Sequence, residues 1–469
     1  MIKDTNLSTS SIFFDDEDVQ WQFRQSQELN ITLKGLFHIY KEEKSHYKLS
    51  ELSFSQPYII KQSKKQGFKV LDITNAIIEK VKNNIVGEGI LVKRNKLKFY
   101  MYGQIEKWIE TFQELCVQIN FHEDYFLYRL ISNSQQSKVY FAEYRSTKID
   151  YAIKVFEKNK FEQEIGPKAM KQEIEILRLI KNEYFTKLLK IYEGNEAVYL
   201  VFEQQRGGDL QRFIKDNENT LTEKTAFQAI KQLLQGISEM HNLNYMHRDL
   251  KPENILLKNK DSLECLIISD LGLAEKVNNE KKQLFTFCGT PGYVAPEILK
   301  KEPYDQKVDI YGIGIILYIL LTGYNPFQSF IKDEIIQLNM IGYVNIDKVN
   351  CSELGKDLLR HMLQVSPNLR PTANQALRHQ YFRNQSKQDT FLKKTIIISK
   401  PQIDSIHSEK ISPIATNLNF DQIKAQPNLN FDKFKAPLIK SQYLRQATPR
   451  IDNYQNNNVN QVKKFRKAS

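Results

Sequence analysis

Between residues 31 and 102 the apolar positions come in short runs, "ITLKGLFHIY", "PYIIKQ", "GFKVLDI", "GILVKR" and "LKFYMY", each bounded by turn-forming residues. Runs of this length predict strands. The period then changes. In "QIEKWIETFQELCVQI" the residues Ile105, Trp108, Ile109, Phe112 and Leu115 share one helical face, so an amphipathic helix closes the strands. Further on, Ile230, Leu233, Leu234 and Ile237 mark a second such face. The most apolar run, "IYGIGIILYILL" from Ile310 to Leu321, is shorter than the roughly 18 residues a spanning helix requires, which predicts a helix buried in protein.

Composition adds boundaries to this pattern. A chain of 469 residues with 41% apolar positions is long enough for two or three packed cores. The formal charge of +12 is uneven: from Arg383 to Ser469 there are 16 Lys or Arg against 6 Asp or Glu, in a stretch rich in Asn and Gln with few aliphatics. Such a segment is expected to be a disordered basic tail, 383–469, and no nucleic-acid partner is expected from it. Residues 1–27, with acidic residues where a secretion signal would need its apolar centre, are likewise expected to be disordered. The four cysteines, Cys116, Cys265, Cys288 and Cys351, are scattered, which suits a reducing, intracellular, cytoplasmic setting.

The run "YMHRDLKPENILL", residues 245–257, brings chemistry into the picture. It resembles the catalytic loop of eukaryotic serine/threonine protein kinases, and the other motifs of that family follow in order: "YAIKVF", "KQEIEILRLI", "LIISDLGLAE", "FCGTPGYVAPE" and "PNLRPT". Across residues 125–382 the resemblance implies a bilobal protein kinase fold of α+β class, with a β-rich N-lobe and a helical C-lobe, using ATP and magnesium.

By that resemblance, Asp249 takes the proton of the attacking hydroxyl and Lys251 reaches the transferring phosphoryl. Lys154 holds nucleotide phosphates and pairs with Glu173, which the family's spacing selects over Glu175. Asn254 and Asp270 are the implied metal ligands. Phe202, Glu203, Gln205 and Asp209 line the hinge and ribose side, and Ile131, Val139, Ala152 and Leu256 sandwich the base. Glu297 with Arg370, and Asp309, are implied structural supports, with Tyr311 where the family has Trp. Thr290 and Glu253 lie on the substrate side, and Glu253 with Asp209 implies a preference for Arg three residues before the acceptor. Thr286 is the implied regulatory phosphorylation site, answered by Arg248.

One motif departs from the family. In "LISNSQQSKVYFAEY" the three glycine positions of the phosphate-covering loop are Ser132, Ser134 and Ser137. Serine keeps the backbone N–H donors but brings a Cβ, so the loop is expected to cover the nucleotide less closely. An active kinase is the reading drawn from the retained charged groups, with a weak or silent kinase-fold scaffold as the alternative.

Upstream, strands followed by a Trp-bearing helix over residues 28–120 resemble a pleckstrin-homology domain, a small β-barrel capped by a helix. The resemblance implies either a phosphoinositide ligand, for which Lys34, Lys41, Lys44 and Lys48 are candidates, or a protein ligand, and through the former a peripheral membrane association. The overall flavour resembles the calcium/calmodulin-dependent group. Calmodulin is therefore a candidate partner besides the Ser/Thr protein substrates, with "DTFLKKTIIISK", 389–400, as the candidate segment.

Overall fold

A computed structural model of the chain describes residues 11–14, 20–24, 29–41, 45–63, 67–134, 136–161, 165–217, 221–260, 262–277 and 288–383. The alternating pattern of the first hundred residues becomes eight strands: β1 (Gln22–Arg24), β2 (Leu33–Lys41), β3 (His46–Ser55), β4 (Tyr58–Gln62), β5 (Phe68–Asp72), β6 (Ile77–Asn83), β7 (Gly87–Arg94) and β8 (Leu97–Tyr102). Their order is β1-β5-β4-β3-β2-β8-β7-β6, every described ladder being antiparallel. Period-two burial selects Phe37, Ile39, Leu52 and Phe54 for one face. Helix α1 (Glu106–Gln113) covers that face with Trp108, Ile109 and Phe112. Trp108 meets Phe37 edge-on at 4.9 Å, and Phe112 meets Phe54 at 5.5 Å.

Two expectations are corrected here. Among the described residues no ladder joins β5 to β6, so the strands form an open sheet rather than a closed barrel. Within the stretch expected to be disordered, β1 pairs with β5, and Phe13 is 1% exposed in the core of the following domain. Both segments carry aromatic or apolar side chains, and burying those offsets the entropy of ordering a short stretch.

The sheet does not stop at the boundary near residue 121. Strand β9 (Val117–Gln118) runs parallel to β6 on one side and to β13 (Leu188–Glu193) on the other. The sheet then continues through β14 (Ala197–Glu203), β12 (Ile149–Glu157), β11 (Lys138–Tyr144) and β10 (Tyr125–Asn133). Between β9 and β10 lies the single turn α2 (Phe121–Asp124). Helix α3 (Ile165–Leu179) follows β12 and buries Met170, Glu173, Ile174 and Leu177.

The C-terminal part is helical: α4 (Leu210–Asp216), α5 (Glu223–Asn242), α6 (Pro296–Leu299), α7 (Lys307–Thr322), α8 (Lys332–Ile341), α9 (Glu353–Met362) and α10 (Ala373–Leu377). Short ladders β15 (Tyr245–Met246) with β18 (Glu275–Lys276), and β16 (Ile255–Leu257) with β17 (Leu266–Ile268), hold the connecting loops. The apolar run is α7, buried from Val308 to Leu321, and among the described residues no helix is long and apolar enough to cross a membrane.

Arg370, buried to 1% exposure, is held by Glu297 through Nη1 at 2.7 Å and Nη2 at 3.1 Å and stacks over Tyr311 at 5.0 Å. Its remaining donors reach the carbonyls of Lys307 and Gln364. Tyr311 thus offers an aromatic face where the family has Trp. Glu297→Gln leaves this guanidinium facing a neutral amide, and is expected to cost about 3 to 5 kcal/mol. Thermal unfolding of the full chain measures it; an unshifted midpoint would contradict the assignment.

Candidate active site

The charged centre is built from three elements. Lys154, in mid-β12, pairs with Val139 and Leu200 across the sheet, which points its side chain beneath α3. Its Nζ donates to Glu173 Oε1 at 2.7 Å and Oε2 at 3.0 Å, and to Asp270 Oδ1 at 2.8 Å. Burial alone would push the ammonium's pKa down; the Glu173 and Asp270 carboxylates outweigh it and hold the pKa above the ordinary lysine value. Lys154 in turn holds the Asp270 carboxyl down to about 2, against the opposing effect of its burial. Asp270 sits at φ +60°, and a Cβ on Gly272 would lie 3.3 Å from Asp270 Oδ1. Leu271, between them, is 1% exposed and anchors the turn in the core.

The second centre lies between β15 and β16. Asp249 Oδ1 accepts from Thr290 Oγ1 at 2.6 Å, and Oδ2 is 2.9 Å from Lys251 Nζ. Lys251 also donates to Thr290 Oγ1 at 2.7 Å. Asn254 Nδ2 donates to the Asp249 carbonyl at 2.8 Å and to Oδ2 at 3.1 Å. With both amide protons aimed at Asp249, Asn254 presents its amide oxygen elsewhere. The Asn254 carbonyl accepts from the Ser269 N–H at 2.8 Å, which ties this loop to the residue before Asp270.

Support comes from Asp309, 2% exposed at the start of α7. Its carboxylate accepts from the N–H groups of His247 and Arg248, both at 2.9 Å, and lies 2.8 Å from His241 Nε2. That grip matters because Arg248 has φ +70°, a left-handed conformation costly for a residue that carries a Cβ. Burial would raise the Asp309 pKa, but the His241 hydrogen bond and the donors around it hold it below the ordinary value. His247, fully buried, accepts from the Asp249 N–H through Nδ1 at 3.3 Å, so Nε2 is the donor to the Ser269 carbonyl at 3.1 Å. His247 and Ser269 were not singled out from the sequence, since each acts through a loop contact that spacing does not reveal.

At the nucleotide end, Phe202 pairs with Ala152 and Glu203 with Tyr151, while Gln205 follows in the linker. Asp209 caps α4, accepting from the Arg212 N–H at 2.8 Å, and bridges to Leu256. Ile131 is 46% exposed at the sheet edge, and Val139 is half-buried. The glycine-free loop closes on itself: Ser134 N–H and Oγ both donate to the Ser137 carbonyl at 2.9 Å, and Ser137 N–H donates to Ser134 Oγ at 3.0 Å. Ser132 stays in the ladder opposite Val139. One N–H that a glycine loop would offer a phosphate is therefore occupied by a serine hydroxyl.

Glu253 lies exposed in the turn after Lys251. Arg248 donates to the Leu273 carbonyl at 2.7 Å, to Tyr304 at 3.0 Å and to Glu275 at 3.3 Å. Thr286 lies outside the described residues, as do Lys44, the side chain of Lys41, and the segment 389–400.

A family model described as "Protein kinase domain" matches residues 125–382. The chain belongs to the protein kinase family. The "Probable serine/threonine-protein kinase 2" of Plasmodium falciparum is 38% identical over 242 residues, covering 51% of this chain and 47% of that protein. Mouse "Serine/threonine-protein kinase H1" is 36% identical over 255 residues, with 53% and 59% covered. The "Calcium/calmodulin-dependent protein kinase type 1" of Caenorhabditis briggsae is 34% identical over 270 residues, 56% of this chain and 73% of that protein. This chain thus spans between about half and three-fifths of the first two relatives. All three matches are close to the kinase domain in length.

Asp309→Asn is expected to release the catalytic loop of this kinase domain, lowering any phosphoryl-transfer rate more than about tenfold and stability by about 1 to 3 kcal/mol. Because the Asp309 carboxyl is held below its unfolded value, its contribution is present above the ordinary carboxylate pKa and fades as pH falls through the folded one. The Asn variant should therefore lose less stability than the native chain between about pH 5 and pH 3, as read from thermal midpoints.

Proposed function

We propose that this chain is an active serine/threonine protein kinase that transfers the γ-phosphate of Mg-ATP to Ser or Thr hydroxyls, favouring acceptors with Arg three residues upstream. One observation carries the reading: Asp249 is held by Thr290, Lys251 and Asn254 within 3.1 Å, while Lys154 joins Glu173 and Asp270 within 3.0 Å. Asp249 orients the acceptor hydroxyl and takes its proton. Lys251, already beside it, neutralises charge on the phosphoryl being passed, and Lys154 serves the phosphates nearer the base.

The donor set fits magnesium. Asn254 has an amide oxygen to spare and Asp270 an ionised, half-exposed carboxylate, both hard ligands. Bound there, the metal supplies electrostatic stabilisation of the phosphate oxygens. Thr290, joining Asp249 and Lys251, supports a role beside the acceptor and hence Ser/Thr selectivity. Exposed Glu253 supports the Arg preference.

For the N-terminal module the strand order and capping helix support a pleckstrin-homology-like fold. Lys34 and Lys48 lie on opposite faces of the β2–β3 ladder, since Lys34 pairs with Ser53 and Lys48 with Ile39, five positions along. Two lysines so arranged do not converge on one phosphate group, which favours a protein ligand over a phosphoinositide. The calmodulin link is supported by the resemblance to the calcium/calmodulin-dependent group and by the name of one relative.

The test is phosphate transfer from Mg-ATP to a basic peptide with Arg at the third position before Ser, beside the same peptide with Ala there. Asp249→Asn should lower transfer by about 10² to 10⁴-fold. Equal transfer to the two peptides removes the Arg preference, whereas no transfer from the native chain, or transfer unchanged by Asp249→Asn, favours the silent scaffold. Ser134→Gly, which frees the Ser137 N–H, should lower the KM for ATP a few-fold with kcat little changed, because ground-state phosphate contact is gained. An unchanged or higher KM would show that the closed serine turn is itself the nucleotide-binding form.

A further inference from the structure

Glu173 meets Lys154 only if α3 is held in place, and part of what holds α3 lies outside the kinase domain. At its C-terminal turn, Arg178 Nη1 donates to Asn75 Oδ1 at 2.7 Å and Nη2 to the Leu115 carbonyl at 2.6 Å. Asn75 N–H donates to the same carbonyl at 3.0 Å, with Asn75 at φ +58°. A cation is thus committed to two neutral oxygens of the N-terminal module. Such an arrangement is poor for stability alone, since burial lowers the guanidinium's pKa to about 10 and no carboxylate among the described residues pairs with it. It is well suited to fixing geometry, because a planar guanidinium has a fixed donor fork.

A second fastening lies on the sheet beside the helix. Glu193, the last residue of β13 and 1% exposed, accepts from Lys158 Nζ at 2.7 Å, from the Ile12 N–H at 2.9 Å and from the Ser11 hydroxyl through a short hydrogen bond. Phe13, next along, enters the core that contains Met170 and Ile174 of α3. Without Ser11 and Ile12 this buried carboxylate would keep, among the described residues, Lys158 alone. The site on Glu193 is therefore shaped for the segment that fills it.

We infer that the residues preceding the kinase domain set the position of α3, with Arg178 as the positioning residue that keeps Glu173 on Lys154 and Phe13 as the second anchor. The inference rests on the proposed phosphoryl transfer, but its test does not depend on transfer alone.

In the full chain, Arg178→Met should lower kcat/KM for ATP about tenfold, and Arg178→Lys less, since an ammonium reaches one of the two oxygens. Asn75→Gly, which removes one acceptor while accepting the positive φ, and Phe13→Ala should each cost a few-fold. The decisive comparison is a cycle with Glu173→Gln, in which the pair is already broken. There Arg178→Met should add less than about twofold, because both changes remove the same interaction. An undiminished penalty in that background, or full activity of Arg178→Met in the native one, overturns the inference. The same cycle read by binding of a fluorescent ATP analogue separates the two proposals. If the chain transfers no phosphate, a loss of analogue affinity from Arg178→Met that disappears with Glu173→Gln still supports the clamp, and an equal loss in both refutes it.

Discussion

A single buried ammonium organises the kinase domain. Lys154 is brought under α3 by a central strand, and stays charged there only because carboxylates from two other elements reach it. Removing a charge from water is expensive, and the cost is recovered only at close range and with all donors used. The position of α3 and the left-handed turn at Asp270 are therefore coupled: neither can shift without leaving a buried charge without its partner. Gly272, whose Cβ would stand among these three side chains, belongs to the same constraint.

The second centre depends on the first through backbone rather than charge. Ser269 receives His247 and donates to Asn254, so the loop with Asp249 and the strand end with Asp270 are laced together before any nucleotide is considered. Asp309 supplies the other half of the brace by accepting the N–H groups of two loop residues, one of them in a strained conformation. A preorganised arrangement of this kind spares the reorganisation that charge transfer would otherwise demand.

Two features depart from a free-standing kinase domain. The phosphate loop uses serine hydroxyls to close its own turn, exchanging reach toward a ligand for internal order. The N-lobe sheet gains β9 at the edge where α3 packs, so a strand edge that would otherwise be open to other chains is covered by the preceding module.

The sequence by itself determined the local chemistry. "HRDLKPEN", "ISDLG" and "AIK" carry their meaning in residue type and short spacing, and the helices through Trp108 and Leu233 follow from a 3.6-residue period. The pairing of Glu173 with Lys154, and of Glu297 with Arg370, was legible only through resemblance, because nothing local distinguishes a buried carboxylate from a solvated one. What the tertiary structure alone decided were contacts between distant segments. Ser11 and Ile12 sit in a polar, acidic stretch whose composition suggests disorder, yet Glu193, 182 residues beyond Ser11, gives them a seat. Arg178 reads as one more helix-terminal cation until Asn75 and Leu115 arrive from another module to receive it. The physical reason is that burial and partner choice are properties of the assembled fold, where loop-closure entropy over a hundred residues has already been met, and no window along the chain records them.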